Sequence, residues 1–432
     1  MTTDSIRIEA DLLIPGRGDP VSDGCVVIDG DTITYAGGSA DAPATPGCVT
    51  YQVPVVMPGM WDCHSHFFGT EAADLTQLAT TPLPMLSVRA ARDAHTLLMA
   101  GFTSTREMGG LGVHLGRLVE EGTLVGPNIY GAGAALGPTA GHSDIHWMPE
   151  SWRDDLAASG VGWVAVCDGV EECIKAVRRQ IRVGAKVIKI NATGGTMSHF
   201  DHPDHRQFND KELRAIVEEA AMAEMAVGAH CHGLAGVAAA ARAGVTTIEH
   251  CSTLDQETAE LMLEMGTMAV PTRHAVEYLV SLEGQIPDWA WQAQAKVERT
   301  HAAAMRLAIA SGIPIATGAD IMVSGGPWGT NGLELAALVK AGMTPLQAIG
   351  AATANGPATL GPRAPKTGVL AEGYDADIIA VASNPLDEIT VLGDSSQITM
   401  VWKGGRLVKS PASSSLPHAT EEFLGGAAQD AV

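Results

Sequence analysis

An α/β fold, a (β/α)8 barrel joined to a small β-sandwich built from both chain ends, is the architecture the sequence predicts. Three observations lead there. Eight short apolar runs fall between residues 55 and 319, each ending in polar or glycine residues and each followed by an Ala/Leu/Glu-rich helical stretch. Both chain ends carry hairpin patterns instead. The chain has 432 residues, 46% hydrophobic and 18% charged, which is long and apolar enough to bury a large core and excludes disorder.

The elements follow in order. Residues 25–28, the pair Asp29-Gly30 and residues 31–36 read as a hairpin on a tight primed turn. The candidate barrel strands are 55–66, 102–107, 128–134, 187–192, 227–232, 246–251, 268–272 and 313–319. Eight β-then-α units suit a closed barrel better than a doubly wound sheet. Residues 377–381 form a further strand, and 398–403, Gly404-Gly405 and 406–409 form a second glycine-turn hairpin. The expected division is a sandwich half over 1–57, the barrel over 58–366 and the other sandwich half over 367–432. Beyond about Ser410 the Ser-, Ala- and Gly-rich composition is that of a mobile tail. The stretch 225–241 lacks Asp, Glu, Lys and Arg, but it is short for a membrane span and contains His230 and His232. It reads as a buried strand followed by a helix.

A formal charge of −22 with no basic cluster excludes nucleic acid and anionic membrane surfaces as partners. Seven cysteines, sparse and odd in number, argue against a disulfide framework and for a reducing compartment. No basic segment precedes an apolar core at the N-terminus, so a cytoplasmic protein is expected.

Six residues able to serve a metal stand at the ends of five candidate strands: His64 and His66, Lys189, His230, His250 and Asp320. In a parallel barrel these ends converge on one face. His64 and His66 are two apart on a strand, so both imidazoles share a face, although an isolated H-x-H triplet also occurs by chance. The same alternation turns the neighbouring Cys63 and Cys231 away, as buried thiols. An ammonium cannot bind a cation, so Lys189 contributes only if CO2 converts it to a carbamate; the plain alternative is a lysine paired with a carboxylate. Asp320 can ligate a metal and accept a proton, or simply cap the next helix.

The motifs MPGMWDCHSH, AKVIKINATGG, GAHCHG, GVTTIEH, PIATGAD and GVLAEGYDADIIAV, in this order, resemble the amidohydrolase superfamily. The likeness is to its imidazolonepropionase-like and prolidase-like group, which includes ochratoxin-, carbamate- and arylurea-hydrolysing relatives, and it runs from about residue 20 to 410. The resemblance implies a TIM-like barrel in which His64, His66, carboxylated Lys189, His230, His250 and Asp320 hold two divalent ions, with Zn2+ expected, around a bridging hydroxide. The resulting site charge of about +1 suits a developing oxyanion. Many relatives have Tyr where His232 stands, so His232 is assigned to substrate contact, with a satisfied core histidine as the alternative. If the pattern fails there, His230 and His232 exchange roles.

The resemblance also places a substrate-binding His at His142, expected to polarise the scissile carbonyl. Arg273, with His274 beside it, is the candidate for holding a substrate carboxylate, against a helix-surface role. His199, His202 and His205 read as loop histidines, since Pro203 breaks any helix there. Trp147, Trp152, Trp163, Trp289, Trp291 and Trp328 follow candidate strands, either lining an apolar pocket or anchoring loops. The expected reaction is hydrolysis of a C–N bond in a small amide, dipeptide, carbamate or urea, with Asp320 carrying the proton to the leaving nitrogen. The enzyme is expected to be a homo-oligomer. A deaminase or cyclic-amide hydrolase on the same barrel is the alternative, and a silent oligomeric binding protein is the third reading.

Overall fold

The computed structural model describes residues 5–72, 76–159, 163–324 and 327–411. The expectation of a mobile tail therefore lies outside the described residues. Strands β1 (Ile6–Leu13), β2 (Val21–Asp29), β3 (Thr32–Gly38) and β4 (Val49–Pro58) open the chain. The strands β14 (Ile378–Val381), β15 (Ile398–Lys403) and β16 (Arg406–Lys409) close it. All seven share one sheet in the order β16-β15-β14-β4-β1-β2-β3, so both chain ends build a single unit. One face packs a core of its own around Ile8, Val26, Ile28, Ile33, Ile378 and Trp402. The two hairpins at opposite ends of this strand order meet: a Cβ on Gly405 would lie 1.9 Å from the Gly30 carbonyl oxygen, so the sheet is rolled and only glycine fits there.

Between these ends come β5 (Met60–Ser65), β6 (Phe102–Glu107), β7 (Asn128–Gly131), β8 (Ala135–Gly137), β9 (Val164–Val166), β10 (Ile188–Asn191), β11 (Val227–Cys231), β12 (Thr247–His250) and β13 (Met268–Val270). They form two parallel sheets, β5-β6-β7 and β13-β12-β11-β10-β8-β9. The strands β5, β6, β8, β10, β11, β12 and β13 are buried along their whole length, with polar side chains such as Arg106 and Lys189 among the apolar ones, whereas β7 and β9 are partly exposed.

Three expectations change. The apolar run 55–66 is two strands: residues through Pro58 pair with β14 in the terminal sheet, and β5 starts after Gly59. A continuous apolar run does not mark where a chain passes from one sheet to another. Residues 128–134 likewise divide, with β8 following as a separate strand. The segment 313–319 is not a regular strand. Its Pro314 has no N–H to give, and it joins its neighbours through a few bonds only: Ala269 N to Pro314 O at 2.9 Å on one side, Cys63 N to Thr317 O at 2.8 Å on the other. It nonetheless lies between β13 and β5 and delivers Asp320, whose N–H donates to the His64 carbonyl at 2.7 Å. The 225–241 stretch resolves as expected into β11 and the helix Leu234–Ala243. No described helix is long and apolar enough to cross a membrane. All seven cysteines are free.

Candidate metal centre

The residues expected to serve the metals come from four strands and the 313–321 segment and line one cavity. His64, His66, Lys189, His230, His250 and Asp320 all face it, together with His142 and His232. His64, His250 and Asp320 each offer a ligand atom within 4.8 Å of the others. Cys63, Cys231 and Cys251 do not line it; burial pushes the Cys63 and Cys251 thiols up to about 12.

The tautomers follow from the partners. His66 Nδ1–H donates to the Gly109 carbonyl at 2.7 Å, and His64 Nδ1–H donates to Glu249 Oε2 at 2.7 Å. Both Nε2 lone pairs then face the same oxygen, Asp320 Oδ1, at 3.3 Å from His66 and 3.5 Å from His64. His230 is turned the other way: its Nε2–H donates to the Gly194 carbonyl at 3.1 Å, leaving Nδ1 as the free lone pair. Burial, with the neighbouring Lys189 ammonium, pushes the pKa of His64 down to about 4. Burial holds His230 and His250 well below the ordinary histidine value as well. Burial works against ionised Asp320, but His64, His66 and Lys189 outweigh it and keep its carboxyl below the usual range. Two imidazole Nε2 atoms converge on one carboxylate oxygen while each Nδ1 is committed to another partner, and this nitrogen and oxygen donor set fits a divalent metal.

Lys189 is buried, and burial pushes its pKa down to about 8. Among the described residues no carboxylate lies within 4.0 Å of its ammonium, and Glu249 and Asp320 act on it from further off. The backbone is strained at this cavity: His250, Thr272 and Asp320 have φ of 66°, 54° and 53°. Such conformations cost about 1–3 kcal/mol each in a non-glycine residue and concentrate at functional sites.

Two groups behind the cavity carry no signal in the sequence. Arg106 and Glu249 are fully buried and paired through both carboxylate oxygens at 2.7 and 2.8 Å, and Glu249 in turn fixes His64. Burial opposes the Glu249 charge, yet Arg106 and His64 hold its pKa down to about 2. Glu249→Ala would strand the Arg106 cation, so a loss of about 3–5 kcal/mol in denaturant unfolding is expected. The metal affinity should fall about 10–100-fold with it, measured by competition with a chelator.

The second group orients His142. Its Nδ1 lies 2.7 Å from Ser198 Oγ and 3.6 Å from Asp201 Oδ2, and Ser198 Oγ donates to Asp201 Oδ1. His142 Nδ1–H is therefore the donor to Ser198, and Nε2 carries a proton only in the imidazolium. The ring stacks on His230 with centroids 4.6 Å apart. A Cβ at Gly195 would lie 2.1 Å from His142 Cε1, so glycine is needed beside it.

His232 lines the cavity with Nδ1 2.8 Å from Ser252 Oγ, so it is both a cavity residue and a satisfied buried one. Arg273 is a correction. It does not reach the cavity: its guanidinium meets Glu277 at 3.0 Å and Glu298 at 2.7 Å, because it opens the helix Arg273–Ser281 and its side chain runs along that helix toward the next. Trp147, Trp163 and Trp289 line the cavity, whereas Trp328 stacks on Phe67 and Trp291 bonds the Val280 carbonyl. His199 reaches the cavity; His202 and His205 do not.

The sequence pattern of the amidohydrolase family matches residues 55–408. The chain belongs to that family and is by class a hydrolase. It is 44% identical to ochratoxinase of Aspergillus niger over 424 residues, 94% of this chain and 86% of that protein. The crystal structure of that ochratoxinase superposes with a TM-score of 0.87, covering 94% of this chain and 96% of that one. A prolidase crystallised with N-methylphosphonate-L-proline gives 0.86 at 31% identity, over 94% of this chain and 100% of that one. Molinate hydrolase shares the fold at 20% identity, with a TM-score of 0.78 over 97% of this chain and 99% of that one. These relatives carry a barrel with an additional domain, in agreement with the α/β architecture described above.

Proposed function

We propose that this chain is a binuclear metal-dependent amidohydrolase that cleaves a C–N bond in a small, aromatic or apolar substrate. His64, His66, Lys189 as its carbamate, His230, His250 and Asp320 would hold two divalent ions, with Zn2+ the expected metal. The site would stand at the mouth of a closed barrel over 58–366, flanked by a sandwich from both chain ends, in a cytoplasmic homo-oligomer. The observation that carries this reading is the convergence of two His Nε2 atoms on one Asp320 carboxylate oxygen. Relatives named as an ochratoxinase and a prolidase support the bond type.

Bound ions would supply Lewis-acid polarisation of the carbonyl and a water-derived nucleophile at neutral pH. The chain's own residues do the rest. Asp320 Oδ1 takes the proton released as the nucleophile attacks and passes it to the leaving nitrogen. His142 Nε2–H donates to the carbonyl oxygen as negative charge develops. Asp201 and Ser198 hold that imidazole in place, His232 and Trp163 contact the substrate, and the apolar walls exclude bulk water. Asp201→Asn is expected to lower kcat about 10–100-fold with KM little changed, and Asp201→Glu to restore part of it. Equal loss in kcat and a raised KM in both variants would reduce Asp201 to a packing role.

The test is a mass-detected hydrolysis screen of protein reconstituted with Zn2+ and bicarbonate. The panel holds N-acyl amino acids, X-Pro dipeptides, neutral anilides, carbamates and arylureas. Cleavage of C–N bonds in any class is expected. With Arg273 committed to Glu277 and Glu298, neutral members should be accepted as well as carboxylates. Silence across the panel would overturn the reading.

A further inference from the structure

A second cavity lies against the metal-facing one. It is walled by Ala79, Leu83, Leu86, Leu111, Met148 and Trp152, and it shares Phe68 and Trp163 with the first. Its volume is about 400 Å3, against about 190 Å3 for the metal-facing cavity. Among the described residues Phe68 and Trp163 border both spaces and form an aromatic partition between them. Phe68 stacks on His66 with centroids 4.9 Å apart, and Trp163 meets Phe68 edge-on at 5.7 Å. The partition therefore stands one ring beyond His66. Phe68 and Trp163 also belong to a small apolar cluster with Leu78, Ile145 and Met148, separate from the main core. Either ring packs against the other four buried members of that cluster.

We propose that this second cavity receives an extended apolar group, an alkyl chain or a ring system, carried by the substrate whose scissile bond lies at the His/Asp cluster. Phe68 and Trp163 form the gate it passes. The assignment rests on the hydrolase reading above and adds its substrate class: compounds with a long apolar arm. Its basis is chemical match and continuity. Apart from Thr81 and Asp155 the walls are hydrocarbon, indole and backbone, and each buried methylene strengthens binding roughly fourfold, so a longer arm gains binding that a short one lacks. The arm could sit on the acyl or the amine side of the scissile bond; both present the same chemistry to the cavity.

Two series separate these sources: acetyl, hexanoyl and dodecanoyl anilides for the acyl side, and N-methyl, N-hexyl and N-dodecyl acetamides for the amine side. In the holoenzyme kcat/KM is expected to rise at least tenfold along one series. The variant Ala79→Trp, at a half-buried wall position that does not line the metal-facing cavity, should fill the second one. It should remove that rise while leaving the shortest member unchanged. Binding of dodecanoate and dodecylamine, followed by tryptophan fluorescence, reads the cavity without turnover, since Trp152 and Trp163 both border it. Saturable binding weakened at least tenfold in Ala79→Trp is expected. Binding that is absent, or equal in both proteins, would overturn the assignment even where the short anilide is cleaved. Chain binding without cleavage of any member would instead overturn the hydrolase reading and leave the cavity assignment standing.

Discussion

Asp320→Asn is expected to lower turnover by on the order of 10³-fold while the protein still binds its metals. The asparagine keeps one oxygen where Asp320 Oδ1 meets both His64 and His66, so the ligand geometry survives. What it loses is a basic carboxylate able to take and return a proton. Asp320 is well suited to that work. Its neighbours hold it ionised despite burial, and its backbone is pinned to β5 through the His64 carbonyl. The measurement is kcat on the best substrate of the panel beside metal content of the same preparation. An active Asn variant would remove Asp320 from proton transfer, and a metal-free inactive one would make it a ligand alone.

Lys189→Ala is expected to cut activity at least 10²-fold, to halve metal content, and to regain part of both when acetate or formate is added. Glu249 and Asp320 act on Lys189 only from beyond ion-pair distance, and as an ammonium it would repel divalent ions held beside it. As a carbamate it becomes an anionic oxygen ligand, and the small acid supplies the same group to the space the side chain vacates. The lowered amine pKa sets the pH dependence. Only the neutral amine reacts with CO2, so metal reconstitution with bicarbonate should quicken as pH rises towards about 8 and slow below it. The check is metal uptake against pH in wild type and variant. PH-independent uptake, or full activity in the alanine variant, would contradict a carbamate role.

Much of this site was legible in the chain, and the reason is geometric. Polar residues that interrupt or close short apolar runs stand out, as His64, His66, Lys189, His230, His250 and Asp320 do, and the fold brings all six to one cavity. Groups that act through long-range contacts left no such trace. Arg106 and Glu249 pair across 143 positions, and Glu249 reads in the sequence as one more polar residue on a short strand. Asp201 sits in a loop, and only the folded chain brings it to His142. Arg273 misled because a cation just past a strand end suggests a pocket, whereas here it starts a helix bearing Glu277 one turn on. Boundaries failed where the chain changes sheet at Gly59, and at β9, whose three residues are too few for a period to register. The tryptophans divided because a strand-end position fixes the level of a residue in the barrel but not whether its ring turns inward.

The central claim, two ions on these six ligands, is tested most directly by metal content per chain. Protein reconstituted with Zn2+ and bicarbonate, freed of loose metal, is analysed by elemental mass spectrometry against chain concentration. The account predicts two ions per chain in wild type, falling in step with activity when either is removed by a chelator. One tightly held ion per chain with full activity would contradict it and would favour the single-metal chemistry of a deaminase or cyclic-amide hydrolase.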